Sequence, residues 1–314
     1  MNKISINISS MFSSQLPYIH ALFSETNPKL GRGKLDKLYL RVPSMNEGFL
    51  KNQCRYLRYI RNSGGKQYEY DGKRFMVFAY ADEYKIEINP SHFNSFLSFT
   101  QFCQKLFFEL SKARITRIDC AVQFDSEMYP VDLFYYCCYV PRKTLSSDYA
   151  IDIEKNNKSG FLTGFDIGKY PCRISCYDED TKSKPLCCDD LSSLTNFEIQ
   201  LSKGNKADFI VNRLDKLATV LKKNPFEDVS FKNVFSLVRK DLNPKIRKRL
   251  LQFQRLTYAR GYHNARGYIR NTAGNFERDY DPYFPELCIG PDQRSFKDFL
   301  LESFYQGVYE WLNK

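Results

Sequence analysis

The chain has 314 residues, with 47 Lys and Arg against 36 Asp and Glu, for a formal net charge of +11. A 43% hydrophobic share with 26 Phe and 22 Tyr excludes a disordered chain, and the basic surplus points to an acidic partner. No run nears the roughly 18 apolar residues of a membrane-spanning helix, and the first residues lack the apolar core of a signal peptide, so nucleic acid is the expected partner, membrane is not, and the cytoplasm is the expected compartment.

The first 30 residues are mixed and carry no element signal. Residues 34–42, KLDKLYLRV, read as a first strand, and KRFMVFAYA (73–81) with YKIEIN (84–89) as a pair joined by a short turn. Asn89-Pro90-Ser91 is a helix-start signal ahead of an apolar-periodic run, which leads into the strand RITRIDCAVQFD (114–125). A second helix is expected over Pro130–Val140, then loop over 142–160. Two strands follow, PCRISCYDE (171–179) and TNFEIQLS (195–202), linked by a loop-like segment. Helical patterns come next at 206–223 and 230–241. A longer helix starts at Asn243-Pro244, with Asn as N-cap and Pro at the first helical position. The carboxy-terminal FKDFLLESFYQGVYEWLNK is amphipathic, which serves core packing and docking equally well.

These elements predict an α+β fold: a central, largely antiparallel β-sheet with flanking helices, followed by a basic helical C-terminal region. The expected division is a sheet-containing part over 1–220 and an accessory part over 221–314. Ten cysteines show no C-x-x-C pair, so structural thiols are expected; a metal cluster of Cys172, Cys176, Cys187 and Cys188 is the alternative. Charge is concentrated between Lys222 and Arg278, where 14 Lys and Arg face four acids, a net +10. A solvated helix face does not require acids to be missing, so this segment reads as a polyanion-binding surface, with Lys245, Arg247, Lys248, Arg249, Arg255, Arg260, Arg266 and Arg270 as DNA-binding candidates.

Strand alternation then groups chemistry onto one face. In 114–125, Ile118, Cys120, Val122 and Phe124 form an apolar stripe, and Arg117, Asp119, Ala121, Gln123 and Asp125 lie opposite. In 171–179, Arg173, Ser175, Tyr177 and Glu179 oppose Cys172, Ile174 and Cys176; in 195–202, Asn196, Glu198 and Gln200 share the polar side. If the three strands are neighbours, one face gathers Asp119, Tyr177 and Glu198, with Glu87 from YKIEIN at the same polarity. Carboxylates around one point favour a hard divalent cation, Mg²⁺ or Mn²⁺. A tyrosine beside it suits attack on a phosphodiester, with Arg117 and Arg173 neutralising the developing charge. The bland alternative is an antiparallel sheet with one wet face.

RITRIDCAVQFD resembles the R-x-D-hydrophobic-A-x-D strand of rolling-circle replication initiators of the plasmid and phage replication-initiation-factor family (Rep_trans). RISCYDEDTKSK is similar to that family's tyrosine strand, TNFEIQLSKGNKADFI to the strand after it, and YKIEINPSHF to a short strand and Asn-Pro turn of phage members; all four occur in order over about 85–210. The resemblance implies an origin-nicking endonuclease, active in the cytoplasm of a bacterial host. It would cleave one strand through Tyr177, keep the 5′-phosphate on the tyrosine and free a 3′-OH, with Asp119 and Glu198 as metal ligands and Glu87 as a third. The implied partners are double-stranded origin DNA, the nicked single strand, and host helicase and polymerase; relatives often act as dimers, so a homodimer is open. The chain departs from the pattern in three places. Acids follow Tyr177 where the family has Lys, Thr181 stands where many relatives have a second Tyr, and Asn196 stands where they have Arg. A conjugative relaxase with the same chemistry and a catalytically inactive DNA-binding regulator on the same fold are the alternatives. His20, His92 and His263 are too far apart for a His-hydrophobic-His metal pair, and no P-loop is present.

Overall fold

The computed structural model describes residues 31–125, 130–140, 151–152, 164–169, 172–179, 194–202, 213–236, 242–272 and 275–314. Its elements in chain order are β1 (Arg32–Val42), α1 (Glu47–Gln53), β2 (Arg55–Ile60), β3 (Gly65–Tyr70), β4 (Lys73–Ala79), β5 (Tyr84–Ile88), α2 (Phe96–Phe107) and β6 (Arg114–Asp125). Then come β7 (Cys137–Tyr139), β8 (Ile151–Asp152), β9 (Gly164–Lys169), β10 (Cys172–Asp178), β11 (Leu194–Ser202), α3 (Leu217–Val220) and β12 (Val229–Phe231). The chain ends with α4 (Pro244–Arg260), α5 (Tyr262–Thr272), α6 (Phe276–Asp279), β13 (Cys288–Ile289), β14 (Arg294–Ser295) and α7 (Phe296–Asn313).

Ten strands make one sheet in the order β2-β3-β4-β5-β1-β6-β11-β10-β9-β8. Every neighbouring pair is antiparallel, so the fold is α+β. The strand bearing Asp119, the one bearing Glu198 and the one bearing Tyr177 are consecutive, as β6, β11 and β10. Two register shifts between β1 and β6 tune the faces. Between Leu35 and Lys37 of β1 the ladder skips Asp36, and between Ile115 and Arg117 of β6 it skips Thr116. An extra residue reverses the alternation beyond it. Leu35 and Leu38 are therefore both buried despite their odd spacing, as are Ile115 and Ile118.

The apolar face is covered by α2 and α7. Phe102 of α2 meets Phe75 edge-on at 5.2 Å, and Phe299 of α7 meets Phe124 at 5.4 Å. Gly33 and Gly307 let β1 and α7 touch backbone to backbone: a Cβ on Gly33 would lie 2.2 Å from Phe304 Cα, and one on Gly307 2.0 Å from the Gly33 carbonyl oxygen. The carboxy-terminal helix thus packs in the sheet's core, burying Phe296, Phe299, Leu300, Phe304 and Val308. A second, smaller core gathers Leu250, Phe253, Tyr262, Ala265, Ile269, Phe276, Tyr280 and Phe284 around α4, α5 and α6. Region 221–314 therefore contributes to both cores.

Three helix expectations are corrected. Asn89 caps only a 3-10 turn, Pro90–His92, by accepting from the Ser91 N–H. The α2 helix starts at a second signal, where Ser95 and Ser98 cap each other's backbone N–H at 3.1 and 3.2 Å. Pro130–Val140 holds a 3-10 turn, Pro130–Tyr135, and then strand β7 paired with β12, so the expected 230–241 helix begins as a strand. Residues 132–139 are all buried, so a continuous apolar run carried no period to separate helix from strand. Of 206–223, only Leu214–Lys216 (3-10) and the single turn α3 are described as helical; 203–212 and 237–241 lie outside the described residues, as do Cys187 and Cys188. Cys172 and Cys176 are reduced, buried and on the apolar face. No described helix is long and apolar enough to cross a membrane.

Candidate active site on the polar face of the sheet

Register fixes which side chains share the polar face, since directly paired residues point the same way. One row across the sheet runs Arg32, Gln123, Asn196, Tyr177 and Gly164. The next runs Lys34, Ala121, Glu198, Ser175 and Asp166. A third runs Lys37, Asp119, Gln200 and Arg173, and a fourth Glu87, Tyr39, Arg117 and Ser202. All the catalytic and metal candidates therefore stand on one face, within four rows.

This face is polar but largely dry. Asp119 is wholly buried, Asn196 likewise, and Glu198, Asp166, Ser175 and Tyr177 are each under one-tenth exposed. A wet face does not describe that pattern. Buried polar groups need partners, and most find them here. The Tyr177 hydroxyl donates to Glu198 Oε2 at 3.3 Å, and Gln200 Nε2 donates to Glu198 Oε1 at 3.0 Å. Arg117 grips Asp119 with two parallel bonds, Nε to Oδ1 and a terminal nitrogen to Oδ2, both 2.6 Å. Its guanidinium also lies 4.6 Å from the Tyr39 ring centroid.

Arg173 is held by Asp166, whose other oxygen accepts from Ser175 Oγ at 2.6 Å. Asp166 belongs to β9, a strand the sequence reading missed; the alternation in Phe165-Asp166-Ile167 was the available signal. Glu87 is engaged elsewhere: Lys37 Nζ lies 3.6 Å from its Oε1, and the Tyr39 hydroxyl donates to it.

Burial, followed by the carboxylates Glu198, Glu179 and Asp36, pushes the Tyr177 phenol far above its ordinary value. A spontaneous phenolate is thus disfavoured, and proton loss needs an acceptor; Glu198 is the carboxylate in contact. Burial pushes the Asp119 carboxyl up to about 7 against the pull of Arg117, and Glu198 adds to the rise.

Among the described residues no three His, Cys, Asp or Glu side chains come together to hold a metal. Asp119 and Glu198 do feel each other's charge from diagonal positions on neighbouring strands. Mg²⁺ commonly takes one or two carboxylates and completes its shell with water and substrate phosphate; Asp119 and Glu198 are the donors of that type here, and both oxygens of each already accept hydrogen bonds that such an ion would have to displace.

Four side-chain atoms on this face or at its end lack a hydrogen-bond partner. Both amide atoms of Asn196, Arg173 Nε and Glu179 Oε2 are buried and unsatisfied. Asn196 is the direct register partner of Tyr177.

No protein-family model matches the chain, and no curated protein matches it. Among solved structures, the chain is similar to a rolling circle replication initiator protein from Geobacillus stearothermophilus, at 14% identity and a TM-score of 0.36; the likeness covers 74% of this chain and 98% of that chain. So remote a likeness leaves the chemistry to this chain's own side chains.

The basic candidates divide. Lys245, Arg247, Lys248, Arg255 and Arg260 are exposed on α4, and Arg270 is exposed on α5. Arg247, Lys248 and Arg255 surround Leu251, which is 45% exposed, at helical spacings of three and four. Arg260 stacks on the half-exposed Tyr268 ring at 5.3 Å. Arg249 is half-buried over Tyr280. Arg266 and Arg270 both pair with Glu277, and Arg266 is also buried against Phe276, so it belongs to the smaller core rather than to the free basic surface.

Proposed function

We propose that this chain is a DNA nicking-closing endonuclease, a replication initiator that cuts one strand through Tyr177 and leaves a 5′-phosphotyrosine and a free 3′-OH. The observation that carries the reading is the Tyr177 hydroxyl bonded at 3.3 Å to Glu198, deep in a polar face that also holds Asp119 and its Arg117 fork. A buried phenol in contact with a carboxylate has a route for its proton, and phosphodiester attack needs that proton gone. Arg117 and Arg173 lie on the same face and supply positive charge for the phosphoryl oxygens. Mg²⁺ or Mn²⁺ on Asp119 and Glu198 would polarise the phosphodiester. The exposed basic residues of α4 and α5 hold duplex by its phosphates.

The test is covalent capture. Wild-type protein with a nicked or single-stranded oligonucleotide should give a protein–DNA adduct stable to denaturation, and Tyr177→Phe should give none while still binding duplex. An adduct of undiminished yield from Tyr177→Phe sinks the assignment. Binding without any adduct from the wild type favours the inactive regulator. Mn²⁺ is expected to raise the melting temperature of wild type and not of Asp119→Asn; equal shifts in both would remove Asp119 from the ion's ligands.

A further inference from the structure

The basic surplus on α4 and α5 is not the only charged surface that lacks acids. The stretch Arg55–Lys66, RYLRYIRNSGGK, forms the β2–β3 hairpin and carries Arg55, Arg58, Arg61 and Lys66 with no Asp or Glu. Arg55 is neutralised by Glu69 of β3, which Arg74 also approaches at 3.3 Å. Arg58 donates to Gln67, an uncharged partner. Among the described residues Arg58, Arg61 and Lys66 have no carboxylate partner, and all three are exposed. Tyr56 and Tyr59 are each 53% exposed beside them. Gly64, with φ of 71°, supplies the left-handed turn that lets the tip protrude.

Place matters as much as charge. The β2 strand is one end of the ten-stranded order, whereas the α4–α5 unit packs toward the other, through Phe134 on Phe165 of β9 and Tyr135 on Tyr258 of α4. Arg58 pairs with Gln67, whose row continues through Met76, Glu87 and Tyr39 to Arg117. Arg58 and the proposed site therefore share one face, whereas Lys66 stands in the row of the buried Val77, Ile86 and Leu40, on the opposite face. From β2 to β10 is seven strand spacings. At about 4.8 Å each that is roughly 34 Å, about one turn of B-DNA, or ten base pairs.

We propose that the β2–β3 hairpin is a second contact for the phosphodiester backbone, gripping the duplex about one turn from Tyr177 through Arg58 of the strand and Arg61 of the turn. The inference rests on DNA being the partner, as proposed above. Charge on an edge strand also deters pairing with a second copy, so oligomeric state must be read beside binding.

The experiment compares wild type, the double variant Arg58→Gln/Arg61→Gln, and Lys245→Gln/Arg247→Gln/Lys248→Gln, by fluorescence anisotropy on arbitrary-sequence duplexes. On a duplex of about 30 base pairs the hairpin variant should lose roughly tenfold in affinity, and its log–log salt slope should fall by about 2. On a duplex of about 10 base pairs, too short to reach both ends, its loss should vanish while that of the α4 variant persists. Wild-type affinity and slope in the hairpin variant on the long duplex would overturn the inference while leaving the nicking reading intact. No DNA binding by the wild type overturns both. A loss confined to single-stranded oligonucleotide overturns the duplex assignment. A changed sedimentation mass with unchanged binding makes the hairpin an edge guard, and the inference falls.

Discussion

Replacing Asn196 with valine separates stability from function on the polar face. Asn196 is wholly buried in β11 between Gln123 and Tyr177, and neither its Oδ1 nor its Nδ2 has a partner. A buried polar group left unsatisfied costs about 1–3 kcal/mol. Valine removes both groups, is close in volume, and as a β-branched residue suits a strand. Taking about 2 kcal/mol net and an unfolding entropy near 2.1 cal/mol/K per residue, the 314-residue chain should melt roughly 3 °C higher. If the amide is idle because its partner is the DNA, the same change should slow nicking by about ten- to a hundredfold, the worth of one or two hydrogen bonds to a charged phosphate. Urea unfolding and single-turnover cleavage of an origin oligonucleotide read the two effects. A variant that is more stable and fully active shows the amide to be a mere defect. A variant that is less stable shows that the amide is satisfied in solution, and the reasoning fails.

Gly33→Ala should destabilise by about 3 kcal/mol or more, because the new methyl would meet the α7 backbone and not a movable side chain; a urea midpoint within error of wild type would contradict it. His263 gives a pH signature. Burial, with Arg266 adding to it, lowers its pKa to about 4, against an accepting backbone contact from Tyr139. The unfolded chain, with an ordinary histidine, then binds the proton better. Stability is intact above about 6.5 and falls as pH drops toward 4, by up to roughly 3 kcal/mol. His263→Gln should flatten that part of the profile relative to wild type, measured by urea unfolding at pH 7, 5.5 and 4; a parallel profile would rule out this histidine as the cause.

Much of the sheet was legible because its strands obey simple alternation. The strands around Ile118–Phe124, Cys172–Cys176 and Phe197–Leu201 pack their apolar stripes as expected, and their adjacency brought Asp119, Glu198 and Tyr177 to one face. Legibility stopped where alternation did. The β2 strand is exposed on both sides, so RYLRYI carries no apolar period; β7 is buried throughout, so CCY carries none either. Neither bulge has a sequence mark, yet Asp36 is left over in one of them and adds its charge to the surroundings of Tyr177.

The polar stripe is buried at its centre, around Asp119, Asn196 and Glu198, and half-exposed at Lys37, Arg117 and Arg173. Sequence shows which residues share a face but not what lies over it. A chain selected only for stability would not keep a carboxylate pair, a phenol and an unsatisfied amide together in the dry. Each is tolerable singly: Asp119 has Arg117, Glu198 has Tyr177 and Gln200, and Asp166 has Arg173 and Ser175. Asn196 has nothing, and it stands opposite the tyrosine. Its amide sets a neutral donor and acceptor beside the phenol and leaves the local charge unchanged.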